Sequence, residues 1–195
     1  MLSLGRACVI GAAAGLLGGL AMNGFTRVVS AVTGGREAKG VAPGGDRVGR
    51  GMQPPQARDR ADDDAAVRAA TAIYHAATGR SLDRRSRLRL GALAHYGFSA
   101  GLGVAYVLLA ERFPAIRRGI GTLYGGLVWA IADEGLMPAL NLSRSPRQLS
   151  AGMHAYSLLG HAVYGSALEC ARMTLSRRDL WEVRPRSVEQ ELHME

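Results

Sequence analysis

Four stretches, residues 7–25, 90–110, 119–140 and 151–171, run almost without charge in a chain otherwise crowded with it. A helix rises ~1.5 Å per residue, so about twenty apolar residues cross the ~30 Å hydrocarbon layer of a bilayer. Inside that layer no water satisfies the backbone, and a stretch of this length is stable there only as a helix. The pattern predicts an all-α, polytopic membrane protein: a four-transmembrane-helix bundle with short turns joining spans two, three and four as antiparallel neighbours. A mean hydropathy of +0.03 is the average of these spans with charges concentrated in residues 27–89 and 172–195.

The first span, ACVIGAAAGLLGGLAMNGF, places Gly11, Gly15 and Gly19 four residues apart, a smooth ridge that admits a neighbouring backbone. A signal peptide with Arg6 as its basic region competes with this reading. The apolar stretch is longer than a usual signal core, and no A-x-A site follows. Further packing glycines are Gly97 and Gly101 in span two, Gly121 and Gly125 in span three, and Gly165 in span four. The glycine spacing is not that of a dinucleotide fingerprint.

Residues 1–178 form one membrane domain, and residues 179–195 a charged tail. Gly34-Gly35, Pro43-Gly44-Gly45 and Pro54-Pro55 mark irregular backbone in the polar insert between spans one and two. Within it, Asp62-Asp63-Asp64 opens an amphipathic segment over about 62–78 that lies on the membrane surface or caps the bundle. The net charge of +8 comes almost entirely from Arg. With no nucleic-acid-binding motif beside it, this is the flank of membrane spans and not a nucleic-acid surface. The two sides carry similar numbers of Arg, so the positive-inside rule assigns no orientation. Cys8 and Cys170 sit in apolar stretches as small packing residues with no disulfide framework.

A faint internal repeat is present. Ile10-Gly11 with Gly15 recurs as Ile120-Gly121 with Gly125, and His95-Tyr96-Gly97 is echoed by His161 with Tyr164-Gly165. Two αα-hairpins of one type would produce it.

The segment AHYGFSAGLGVAYVLLAERFP around His95, the Arg117-Arg118-Gly119-Ile120-Gly121 approach to span three, LLGHAVYG in span four and Pro54-Pro55-Gln56 together resemble the YagU-like family of small bacterial inner-membrane proteins, chiefly over residues 91–178. The resemblance implies a multi-pass inner-membrane protein, with acid tolerance associated with some members and no established reaction. By position, His95 and His161 correspond to the family's histidines. The Asp133-Glu134 pair has no counterpart in that pattern.

An ionisable side chain within hydrocarbon is a functional candidate by default. Measured from the side that carries the polar insert, His154 lies roughly 5 Å deep, His95 roughly 8 Å, and Asp133 and Glu134 roughly 10 Å. Asn23 is near the same level and His161 is deeper, so these residues, with Tyr106 and Tyr124, are expected to form one intramembrane polar layer. His95, Ser99 and Tyr106 share a stripe; so do His154, His161 and Gly165, and so do Tyr124 and Glu134. Asp133 and Glu134 are about 100° apart on an α-helix, so both should not face one neighbour; Glu134 is expected to turn inward, with Asp133 nearer the interface.

Three readings of the layer stand. It is a structural hydrogen-bond network, a path for protons or small ions tuned by His beside carboxylates, or a haem site held by His95 and His161. No resident cofactor is otherwise expected. No metal motif, hydrolase elbow or nucleotide loop is present, and no enzyme activity is indicated. The expected partners are the lipid bilayer and a second copy or another membrane helix.

Overall fold

The computed structural model describes residues 2–33, 65–143 and 145–176. The turns expected at Gly34-Gly35, Pro43-Gly44-Gly45 and Pro54-Pro55, the Asp62–Asp64 opening and the tail 179–195 lie outside these residues. Among the described residues every regular element is helical. Helix α1 is Leu4–Val32, α2 is Ala65–Thr78, α3 is Arg84–Arg112, α4 is Thr122–Val128 and α5 is Ala151–Leu175.

The chain marks several of these helix starts with its own side chains. Ser3 accepts from the Arg6 N–H, Asp83 from the Arg85 N–H and Ser150 from the Met153 N–H. Each satisfies one of the donors that the first helical turn leaves unpaired. Arg117 closes the other end of α3, donating from Nη2 to the Ala110 carbonyl at 2.5 Å.

Two helices, Leu4–Val32 and Arg84–Arg112, are long and apolar enough to cross a membrane. At 29 residues each they extend past their expected spans at both ends. Only 33% and 22% of their apolar windows are buried inside the protein, so most of that apolar surface faces outward.

The third stretch departs from expectation. Residues 119–121 are not helical: Gly119, Ile120 and Gly121 all take positive φ, which for the β-branched Ile120 is a strained conformation. Helix α4 starts only at Thr122, and at Trp129 it widens into a π-helical segment, Trp129–Leu136, before a closing turn Met137–Ala139. The Met137 N–H reaches back five residues to Ala132 O.

Helix α1 packs on both α3 and α5, α4 packs on α5, and α2 lies across the start of α3. The α3 and α4 helices, though consecutive, meet chiefly through tyrosines. Helices α1 and α3 cross where a Cβ on Gly11 would stand 2.5 Å from Val104 Cα, and one on Gly103 would stand 2.6 Å from Gly15 Cα. Gly15 faces the Ser99 carbonyl, and Gly19 the Ser99 hydroxyl. Helices α4 and α5 cross in the same way: Gly121 faces the Gly165 carbonyl and Gly125 faces the His161 carbonyl. The two crossings thus share an arrangement in which Ser99–Gly103 corresponds to His161–Gly165, and not His95 to His161 as the sequence echo suggests. Ile10 and Ile120 are not equivalent either, being 2% and 58% exposed.

Gly97 and Gly101 depart from their expected packing role, since nothing lies within 4 Å of where their Cβ atoms would be. They are two residues out of step with Ser99 and Gly103. On an α-helix that displacement is about 200°, which carries them to the far face.

Candidate functional site

The π-helical segment decides where the two adjacent carboxylates point. Hydrogen bonds spaced five residues apart widen the helix and reduce the rotation per residue. Asp133 and Glu134 consequently both reach α5, contrary to the expectation drawn from α-helical geometry. Glu134 Oε1 lies 2.7 Å from His154 Nδ1. The Ser157 hydroxyl donates to Asp133 Oδ2 at 2.5 Å, and His161 Nδ1 stands 3.8 Å from the same oxygen. Along α5 the partners of Asp133, Ser157 and His161, come one and two turns after His154, the partner of Glu134.

The acceptors fix the proton inventory. His154 Nε2 is 3.1 Å from the Pro146 carbonyl, which can only accept, so Nε2 carries a hydrogen. The 2.7 Å contact on Nδ1 then needs one further proton, held either by the imidazole or by the Glu134 carboxyl. Loss of that proton would set a carboxylate against an imidazole lone pair. His161 Nδ1 likewise donates to the Ser157 carbonyl at 3.0 Å. Trp129 packs edge-on to the His154 ring, with centroids 6.4 Å apart.

The remaining members of the expected layer divide between other places. Asn23 Nδ2 donates to the Tyr96 hydroxyl at 2.8 Å, tying α1 to α3. His95 packs edge-on to Tyr96, and its Nε2 is buried without a hydrogen-bond partner. No hydrogen bond joins it to Glu134, His154 or His161 among the described residues. The Tyr106 and Tyr124 rings pack at a tilt with centroids 4.8 Å apart, nearer the opposite end of the bundle. In place of one layer there is a carboxylate–histidine cluster between the Trp129–Leu136 segment and α5, with separate polar contacts elsewhere.

A second ionic group was not anticipated as a site. The Tyr106 hydroxyl donates to Glu169 Oε2 at 2.7 Å, and Arg172 grips both oxygens of Glu169 at 2.6 and 2.8 Å. Glu169 is 4% exposed. The i,i+3 spacing of Glu169 and Arg172 is visible in the chain, but only the docking of α3 on α5 shows that Tyr106 completes the group. Tyrosines also bind the two hairpins together: Tyr124 Oη donates to Leu102 O at 2.7 Å and Tyr164 Oη to Ser99 O at 2.9 Å. Cys8 and Cys170 are free thiols. Among the described residues, no three His, Cys, Asp or Glu side chains form a metal-holding group.

No curated protein and no solved structure matches the chain. Residues 71–170 run from α2 through nearly all of α5 and include Asp133, Glu134, His154, Ser157 and His161. They match the family described as Protein of unknown function (DUF1440), and with about half of its length matched the chain belongs to that family.

Proposed function

We propose that this is a four-span protein of the bacterial inner membrane in which the Asp133–Glu134 and His154–His161 cluster takes up and releases protons, as part of a proton or small-ion path linked to acid or envelope stress. The membrane setting is supported by the outward apolar surface of α1 and α3, and by large exposed apolar residues on the other two rods, such as Ile131 at 68% and Leu159 at 56%. Patches of that extent suit lipid better than water. The resemblance over residues 91–178 supports the inner-membrane assignment and the association with acid.

The observation that carries the proton reading is the 2.7 Å contact between Glu134 Oε1 and His154 Nδ1, with Nε2 turned to the Pro146 carbonyl, which leaves one proton to be shared. A carboxylate and an imidazole in contact can exchange it without net charge appearing in a poorly solvated site, and histidine titrates close to physiological pH. Asp133, Ser157 and His161 extend the chain of exchangeable groups deeper along α5. π-helical turns are frequent at functional sites.

Proton flux into proteoliposomes tests this directly. Glu134→Gln and His154→Gln are each expected to abolish flux while leaving the protein in the membrane. Flux equal to that of the unmodified chain in both variants, or lower yield as their only effect, would leave a structural network as the better account.

A second reading rests on His95, whose buried and unpartnered Nε2 is free to ligate. It makes the chain a haem-binding or structural subunit of a larger membrane complex. The absence of a Soret band from detergent-purified protein would remove its haem form.

A further inference from the structure

Helix α2 is held against the start of α3 at one very close contact: a Cβ on Gly91 would meet Val67 Cα at 2.8 Å. This seam uses Val67 and Ala70, the buried residues of α2. Ile73, one turn after Ala70 on α2, is exposed beside that seam, and the outer face of α3 exposes Leu88 and Leu93. Residues 65–90 carry six Arg and one acidic residue, Asp83. Arg80, Arg84, Arg85 and Arg89 are all exposed. Arg85 and Arg89 are one turn apart, on the same outward side as Leu88 and Leu93.

The depth of these arginines matches that of a headgroup layer. The apolar stretch of α3 begins at Leu90, so Arg84–Arg89 occupy roughly the next 9 Å of helix. The polar zone of one leaflet is about 5–8 Å thick. A guanidinium there can fork onto phosphate oxygens while its stem lies along apolar surface. Exposed leucine and isoleucine at the same rim would enter the acyl boundary.

We propose that this rim, α2 with the first turns of α3, is a binding surface for anionic phospholipid headgroups. It selects them over zwitterionic ones and so sets the height of the bundle in the bilayer. The proposal rests on the membrane-spanning reading but not on the proton cluster.

The test uses the full chain in phosphatidylcholine nanodiscs containing spin-labelled phosphatidylglycerol or spin-labelled phosphatidylcholine. The unmodified protein should immobilise the phosphatidylglycerol label with a several-fold preference at about 0.15 M salt, falling toward unity at 1 M. The R80Q/R85Q/R89Q variant should lose that preference. R112Q/R118Q, at the opposite rim, should keep it. No preference in the unmodified chain, retention of it by the triple variant, or equal loss in R112Q/R118Q would overturn the proposal. Abolition by inorganic phosphate at lipid-equivalent concentration would also overturn it, by marking a soluble-anion site. If alkaline carbonate strips the chain from membranes, the spans themselves are wrong. If the chain stays in the membrane without lipid preference, only the rim proposal fails.

Discussion

The α1–α3 pair and the α4–α5 pair cross by the same device and do different things. In each, two glycines four residues apart face the backbone of the other helix, around Ser99–Gly103 in the first pair and His161–Gly165 in the second. The first pair is long and apolar, and its interface is closed by small residues. The second is interrupted at both ends of its first helix, by positive φ at residues 119–121 and by π-helical backbone at Trp129–Leu136. That irregularity brings Asp133 and Glu134 onto one partner helix. A repeated packing unit can therefore serve as a rigid anchor in one copy and, once its helix is widened, as a holder of titratable groups in the other.

The sharpest way to break the comparison is at the crossings. Gly103→Leu should be the most damaging change, since its side chain would project into the Gly15 backbone. The cost should reach or exceed the upper end of the ~1–3 kcal/mol typical of overpacking, because a helix backbone cannot yield as a side chain can. Gly165→Leu should behave alike if the crossings are equivalent. Denaturation in mixed micelles would measure both, and a mild effect at one with a severe effect at the other would end the equivalence.

Arg172→Met comes next. It strips Glu169 of its bidentate partner and leaves Tyr106 as its remaining side-chain donor. Removing one member of a buried ion pair costs several kcal/mol, discounted here to about 2–3 because Arg172 is at the bundle's end. Tyr106→Phe should cost about 1 kcal/mol, the worth of one hydrogen bond. A double-mutant cycle between the two would expose their coupling.

Substitution within the carboxylate–histidine cluster should separate function from stability. Glu134→Gln should shift the unfolding midpoint far less than Gly103→Leu while removing the proton signal. A midpoint shift as large as that of Gly103→Leu would make the cluster a packing element like the first crossing.

The smallest effects lie outside the crossings. Gly101→Ala should be neutral or stabilise by up to ~1 kcal/mol, since its Cβ meets open space and alanine favours helix. Asp83 offers a pH test. The Ser86 side chain, then the backbone at Arg85 and Ser86, holds its carboxyl below the ordinary value. A lowered folded value means that the cap's contribution is complete above the unfolded value near 4 and is lost as pH falls through the lowered one. Asp83→Asn should flatten stability against pH in that acid window and leave it unchanged near neutrality.

Much of this was legible in the chain, for reasons that can be traced residue by residue. The uncharged runs at 7–25 and 90–110 mark helices because length and hydropathy act locally. The Gly11 and Gly15 ridge is legible because a four-residue interval has one meaning on a helix; Gly121 and Gly125 meet α5 with the same interval although Gly121 precedes the helix. In the second helix of the first crossing the register was misread: Gly97 and Gly101 show the same interval as Ser99 and Gly103, and nothing local distinguishes the two faces, whereas Gly165 does stand at the second crossing. The polar layer was legible as a set of residues but not as a site. Depth along an axis can be counted from sequence, whereas azimuth requires knowing which helices touch. The partnership of Glu169 with Tyr106 was not legible, because 63 residues separate the two.

The sequence alone determined that this chain is helical, that two of its helices are long and apolar enough to cross a membrane, and that a few ionisable residues lie inside otherwise uncharged stretches. Those properties are sums over neighbouring residues, and no distant contact changes them. The tertiary structure alone decided that the carboxylates share one partner helix, that His95 stands apart from them, and that Glu169 is clasped by Tyr106 and Arg172. All three depend on helix rotation, and the first also on the local change of helical pitch at Trp129–Leu136; a rotation of 100° costs one residue of sequence but moves a side chain to another neighbour.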